Sequence, residues 1–252
     1  MIEIEDLHLA FDQPVLRGVT LTVPEGTTCV LLGVSGSGKT VLMKTVIGLL
    51  RPDRGTVRVD GQDVHALGAE ALRRLREKLG ILFQAGALFD SLTVFDNVAF
   101  PLVERTRKSP AEVRAVVGRA LSLMGLAGAG HLYPAELSGG MKKRVAFARA
   151  IVLEPRIVLY DEPTAGLDPP TTQRVADLVI AAKQELRLTA LATIYDLPTA
   201  FRVADRLAML HEGRIVAEGT PDELTCSRHP AVQAFLRSWL ERNRGQAPSA
   251  GG

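Results

Sequence analysis

The sequence predicts an α/β fold: a parallel sheet whose strands are interrupted by helices, an antiparallel β unit at its flank, and a helical block inserted in its second half. Three observations carry this. The apolar run Thr28-Cys29-Val30-Leu31-Leu32 leads through a glycine-rich turn into a helix-patterned stretch. A second continuous apolar run, Arg156 to Tyr160, ends in Asp161-Glu162. Between them, residues 110 to 152 are helical in pattern, broken near Gly125 to Pro134. Short unbroken apolar runs are what strands buried on both faces require.

The elements follow in order. Ile2 and Ile4, then Val19, Leu21 and Val23, alternate as strands with one buried face, and Thr56 to Gly61 alternates into an Asp-Gly turn. These are expected to form antiparallel strands flanking the glycine-rich loop. After that loop, Val41, Leu42, Val46, Ile47, Leu49 and Leu50 cover a wide helical face from Thr40 to Leu50, which Arg51-Pro52-Asp53 stops. The charged segment Leu72 to Lys78 leads to Gly80-Ile81-Leu82-Phe83-Gln84, followed by a region rich in phenylalanine: Phe83, Phe89, Phe95 and Phe100. A later strand runs from Leu188 to Ile194. Val232, Phe235, Leu236, Trp239 and Leu240 recur at helical spacing, and 246–252 reads as a loose tail. The expected organisation is one domain over 1–225, with helices inserted over about 86–155, and a C-terminal helix and tail over 226–252.

Composition narrows the function. The chain has 252 residues, 46% of them hydrophobic, and a mean hydropathy of +0.13, enough for a large core. Thirty basic against 28 acidic residues leave a formal charge of +2, too balanced to indicate a nucleic-acid partner. Arg73-Arg74-Arg76 and Lys142-Lys143-Arg144 read as solvated helix faces. Cys29, inside an apolar run, and Cys226, in a polar turn, suggest neither a disulfide framework nor a metal site, which fits a reducing cytosol. The acidic opening Met1 to Asp6 is unlike a signal peptide, and no apolar run approaches the roughly 18 residues that cross a bilayer. Any membrane role is expected to come through partners.

Residues Gly33, Val34, Ser35, Gly36, Ser37, Gly38, Lys39 and Thr40 fit G-x-x-x-x-G-K-[ST]. Glycines let successive N–H groups face an anion, Lys39 sets an ammonium near terminal phosphates, and Thr40 offers a hydroxyl to Mg²⁺. The loop is therefore expected to bind a nucleoside triphosphate. Ligands of parallel sheets gather at the carboxyl ends of strands, where Asp161 can hold the Mg²⁺ shell and Glu162 can orient or deprotonate a water. A second glycine-rich turn, Leu137-Ser138-Gly139-Gly140-Met141, opens the helix that continues from Val145 to Ile151 and makes a further anion site at its N-terminus.

With these motifs in this order, the chain resembles the nucleotide-binding subunit of ABC transporters over about residues 1 to 225. Gly33–Thr40 resembles that family's Walker A motif, Gln84 its Q-loop glutamine, Leu137–Met141 its signature, Leu159–Glu162 its Walker B motif, and Ala165-Gly166-Leu167-Asp168 its D-loop. Phe11 stands where the family places an aromatic against adenine. The resemblance implies a P-loop ABC ATPase fold with an antiparallel β subdomain and an inserted helical subdomain. It implies ATP and Mg²⁺ as cofactors, the metal held by Thr40, Gln84 and Asp161, with Glu162, Gln84 and the residue at position 195 serving catalysis. It also implies a head-to-tail pair with a second copy, in which Ser138, Gly139 and Gly140 of one subunit, with Asp168 nearby, close over ATP on the other. Integral-membrane permease subunits dock at the groove beside Gln84, to which Phe89, Phe95 and Phe100 are candidate contributors, and the pair sits on the cytoplasmic face of the membrane. The segments Phe83–Phe89 and Val94–Leu102, with Met141, resemble the ATPases of MCE-protein phospholipid transporters, whose cargo binds an MCE-type protein. An importer ATPase for another solute, or an ATP-gated dimer switch that scarcely hydrolyses, are the other readings. One position departs from the family: a switch histidine is usual where this chain has Tyr195, before Asp196. A phenol is longer than an imidazole and stays neutral at pH 7, which leads to an expectation of slowed hydrolysis with ATP binding retained.

Overall fold

A computed structural model describes residues 1–82 and 87–243, with side chains as far as 237. Two sheets organise it. The first is antiparallel, with strands β1 (Ile2–Ala10), β2 (Pro14–Val23), β4 (Arg54–Val59) and β5 (Gln62–Asp63) in the order β2-β1-β4-β5. Its β4–β5 hairpin turns at Asp60 and Gly61, whose φ angles of 51° and 73° match the left-handed pair of a type I′ turn. The second has β3 (Thr28–Leu32), β6 (Leu79–Leu82), β7 (Ile157–Asp161), β8 (Thr189–Thr193), β9 (Arg206–His211) and β10 (Arg214–Gly219), ordered β10-β9-β3-β8-β7-β6. All of its pairings are parallel except β10 with β9.

Strands β3, β7 and β8 are buried at every residue, β3 and β7 as their apolar runs predict. Successive side chains of β3 serve opposite cores. Cys29 and Leu31 pack with the antiparallel sheet and helix α1 (Lys39–Val46), whereas Val30 and Leu32 pack with the inserted helices and the far side of the sheet. The β9–β10 hairpin carries no strong sequence cue, yet Glu212 and Gly213 close it with φ angles of 47° and 75°.

Helix α1 stops short of the predicted Leu50. Gly48 takes φ 71° and the Leu49 N–H reaches back to the Lys44 carbonyl at 2.8 Å, so a left-handed glycine ends the helix before the proline can. Helix α2 (Ala69–Glu77) occupies the charged segment before β6. The inserted unit holds α3 (Val94–Arg105), α4 (Pro110–Leu123) and α5 (Gly139–Ile151). Helix α3 falls inside the helical insertion expected over about 86–155, although Pro101 lies within it and its apolar residues do not fall on one clean stripe. What holds it is Asn97, fully buried, whose amide donates to the carbonyls of Phe89, Leu92 and Thr93 and whose Oδ1 accepts from the Phe89 N–H. Ser109 and Glu112 form a capping box at the start of α4.

Helices α6 (Pro169–Leu186), α7 (Leu197–Val203) and α8 (Pro221–Thr225) complete the domain, followed by α9 (Pro230–Asn243). Val232 is buried in the main core and Phe235 and Leu236 pack against it, so the first half of the C-terminal stripe docks on its own domain. The side chains of Trp239 and Leu240, and the 246–252 tail, lie outside the described residues.

Candidate nucleotide site

The loop between β3 and α1 is shaped by close approaches only glycine permits. A Cβ on Gly33, at φ 153°, would lie 2.4 Å from the Leu210 carbonyl oxygen and 2.7 Å from Ser37 Oγ. Gly38, the residue capping α1, takes φ 105° against Val15 and Leu16 of β2. Lys39 folds back over the loop, its Nζ donating to the carbonyls of Gly33 at 2.7 Å and Val34 at 3.1 Å. Burial holds this amine below the ordinary lysine range, opposed by the charges of Glu162 and Asp161. The hydroxyl of Ser37 is buried in the loop with no hydrogen-bond partner. A phosphate oxygen would satisfy it.

The parallel register brings the two acids to the loop. β7 and β8 pair Asp161 with Thr193, and the Thr193 hydroxyl donates to Asp161 Oδ1 at 2.7 Å. Thr40 Oγ1 reaches the same carboxylate oxygen at 3.5 Å. A hydroxyl and a carboxylate are hard oxygen donors, the set that suits Mg²⁺ beside phosphates. Among the described residues no cluster of three or more His, Cys, Asp or Glu is placed to hold a metal by itself.

Glu162 leaves the strand in a left-handed conformation, φ 52°, which turns its side chain out of the sheet's alternation. Its N–H donates to the Thr193 carbonyl at 3.1 Å and to the Thr193 hydroxyl at 3.0 Å. Its Oε2 accepts from the Tyr195 N–H at 3.0 Å. Burial pushes the carboxyl above the usual carboxylate range, with the Tyr195 N–H, Lys39 and Lys143 pulling it down and Asp161 adding to the rise. A carboxylate raised toward neutrality is a better proton acceptor for a water. Thr193 carries no motif of its own in the sequence, and the expected solvated face Lys142-Lys143-Arg144 is exposed only at Lys142: Lys143 is half-buried, and Arg144 donates to the carbonyls of Met124 and Gly125. A signal for Thr193 existed, since it ends the strand next to the one that carries the acids.

The remaining candidates fall into three groups. Phe11, in the turn between β1 and β2, is 60% exposed and offers its ring to a planar ligand. The Tyr195 side chain is 65% exposed while its backbone holds Glu162. Ser138 caps α5 by accepting from the Met141 N–H at 3.2 Å, Gly139 is exposed, and Gly140 is buried against Thr171. Asp168 caps α6, accepting from the Thr171 N–H at 3.0 Å and hydroxyl at 2.7 Å, bonds that hold its carboxyl below the usual range. Among the described residues, no hydrogen bond joins Ser138, Gly139, Gly140 or Asp168 to the phosphate loop of the same chain. Gln84 lies outside the described residues.

Fold and site together define a P-loop nucleotide-binding cassette. The sequence profile of the ABC transporter family matches residues 16–165, and the chain belongs to that family, whose members hydrolyse ATP with Mg²⁺ to power transport. It is similar to the probable ribonucleotide transport ATP-binding protein mkl of Mycobacterium tuberculosis, 42% identical over 93% of this chain and 66% of that protein. The chain thus spans just under two thirds of that relative's length. It is 41% identical to the methionine import ATP-binding protein MetN of Caulobacter vibrioides, over 100% of this chain and 76% of the relative. It is 38% identical to the intermembrane phospholipid transport system ATP-binding protein MlaF of Escherichia coli, over 88% and 82%. Among solved structures, the dimeric post-hydrolysis state of the ATP-binding cassette MJ0796 bound to ADP and Pi is similar with a TM-score of 0.81 and 29% identity, covering 88% of this chain and 99% of that one.

Proposed function

We propose that this chain is the ATP-binding and ATP-hydrolysing subunit of a transporter that moves phospholipid or a related lipid between membranes. The observation that carries the hydrolase reading is the placement of Glu162, raised in proton affinity and held by the Tyr195 N–H, beside Lys39, Thr40 and Asp161. Lys39 and the loop N–H groups hold the phosphates, and Phe11 stacks on the base. Thr40 and Asp161 hold Mg²⁺, with Gln84 a further candidate ligand; the ion, when bound, neutralises charge developing on the transferred phosphoryl group. Glu162 orients a water and takes its proton as it attacks the γ-phosphate in line.

Ser138, Gly139 and Gly140, unattached to the phosphate loop of their own chain, fit the role of closing over the ATP of a second copy, with Asp168 at the same seam. The dimeric neighbour supports that reading. No helix among the described residues is long and apolar enough to cross a membrane. In this reading permease subunits carry the cargo and the pair is peripheral, on the cytoplasmic face of the membrane, which the likeness to ATP-binding proteins of transport systems supports. Phe89 and Phe100, both partly exposed with ring centroids 4.9 Å apart, offer an apolar contact for them, while Phe95 packs into the core.

The likeness to MlaF supports a lipid cargo delivered by an MCE-type protein. A second reading, import of another solute, is favoured by the likeness to MetN. Purifying the chain from membranes and identifying what accompanies it separates them. The lipid reading expects an MCE-type protein with its permease; a solute-binding protein for an amino acid or sugar would overturn it.

A further inference from the structure

The carboxyl ends of β7 and β8 are joined through one side-chain hydroxyl. Parallel pairing sets Thr193 beside Asp161, and Thr193 is fully buried. Its Oγ1 accepts from the Glu162 N–H at 3.0 Å and donates to Asp161 Oδ1 at 2.7 Å. A threonine hydroxyl has a single hydrogen to give, and an amide N–H can only donate. One lone pair of Oγ1 therefore serves Glu162, and the hydrogen is left for Asp161. Branching at Cβ stiffens the side chain that holds both bonds.

The hydroxyl does different work on its two sides. Toward Glu162 it supplements the Thr193 carbonyl, which accepts from the same N–H at 3.1 Å. Together they support a left-handed backbone, φ 52°, which a residue with a Cβ keeps only when its surroundings hold it there. The Glu162 carboxylate itself is taken up by the Tyr195 N–H at 3.0 Å, a backbone donor that persists whatever side chain stands at 195. Toward Asp161 the bond ends on a carboxylate, which makes it the stronger of the two. Thr40 reaches the same Oδ1 only at 3.5 Å, so Thr193 sets how this carboxylate is turned.

We propose that Thr193 is a positioning residue for hydrolysis, whose one buried hydroxyl ties the Asp161 carboxylate to the backbone of Glu162 and so keeps the two acids at a single spacing. The proposal rests on the hydrolase reading above. Valine has the shape of threonine without the hydroxyl. In Thr193→Val the Glu162 N–H keeps the backbone carbonyl at 193, so no buried donor is stranded and the fold is expected to stand. What is lost is the tie to Asp161.

The test uses Thr193→Val and Thr193→Ser in the full chain, each also with Tyr195→His. ATP turnover is read as kcat and KM, and a melting cycle on nucleotide-free protein combines Thr193→Val with Asp161→Ala. Thr193→Val is expected to lower kcat roughly tenfold with KM for ATP within about twofold, and Thr193→Ser to keep most of the parent kcat. A residue that only filled space would give the opposite order, because valine keeps the volume and serine keeps the hydroxyl. The melting effects of Thr193→Val and Asp161→Ala are expected to be non-additive. Additive melting effects, unchanged kcat in Thr193→Val, or a loss in Thr193→Ser as large as that in Thr193→Val would each overturn the proposal. Absence of turnover in every background would instead remove the hydrolase reading, while the melting cycle still decides whether Thr193 holds Asp161.

Discussion

Two glycines of the phosphate loop, three residues apart, are predicted to respond differently to the same substitution. At Gly33 an alanine Cβ would sit 2.4 Å from the Leu210 carbonyl and 2.7 Å from Ser37 Oγ. The carbonyl belongs to β9, which is hydrogen-bonded on both sides, and cannot retreat cheaply. Overpacking costs about 1–3 kcal/mol, and holding a Cβ-bearing residue at φ 153° adds about 1–3 kcal/mol. At Gly36, φ 80°, nothing lies within 4 Å of the added atom, so only backbone strain of about 1–2 kcal/mol applies. For a chain of this size about 1 kcal/mol moves the melting temperature by roughly 2–4 °C. Gly33→Ala should therefore melt about 4–24 °C below the parent, and Gly36→Ala about 2–8 °C below. Thermal denaturation of nucleotide-free protein followed by circular dichroism measures both. Equal melting temperatures, or a larger loss at Gly36, would refute the packing argument.

Tyr195→His should raise steady-state ATP turnover by roughly tenfold, since it restores a donor that can reach a phosphate oxygen, with Glu162→Gln abolishing turnover in both backgrounds; equal turnover with tyrosine and histidine sinks the idea that the phenol limits hydrolysis. Phe11→Ala should weaken ATP binding by roughly tenfold through lost stacking and leave the melting temperature unchanged, because the ring is exposed; titration calorimetry and a melting curve check the two halves. Burial holds the His65 imidazole below 6.5, with the Thr45 carbonyl opposing at 3.0 Å. The unfolded chain therefore binds that proton more readily, and this contribution to stability is lost as pH falls below 6.5. The melting temperature of the parent should drop relative to His65→Gln between about pH 7 and 5; parallel curves would contradict it.

The parts of the fold legible in the sequence are those where one local signal suffices. Two strands of the parallel sheet announce themselves as continuous apolar runs, and Asp60-Gly61 announces its hairpin by the left-handed turn it must adopt. Helix α3 lies in the expected helical insertion but shows little helical pattern of its own, because its stability is not local. Asn97 ties a loop eight residues away, and Pro101 interrupts the pattern a helix normally shows. The end of α1 was misjudged by reading Pro52 as the stop when Gly48 had already taken it. In the site, the loop glycines, Lys39, Thr40, Asp161 and Glu162 share short motifs. Thr193 comes to Asp161 and Glu162 only through strand register, which no single stretch of sequence displays.

In the proposed reading the phosphate loop and Glu162 form half a site, completed by Ser138, Gly139 and Gly140 of a second copy. Light scattering of Glu162→Gln protein measures it most directly, since the variant binds ATP without consuming it. ATP with Mg²⁺ is expected to double the 27.1 kDa monomer mass, ADP is not, and Ser138→Arg should prevent the doubling while ATP remains bound. A mass that stays monomeric with ATP demonstrably bound, or a Ser138→Arg variant that still doubles, would contradict it.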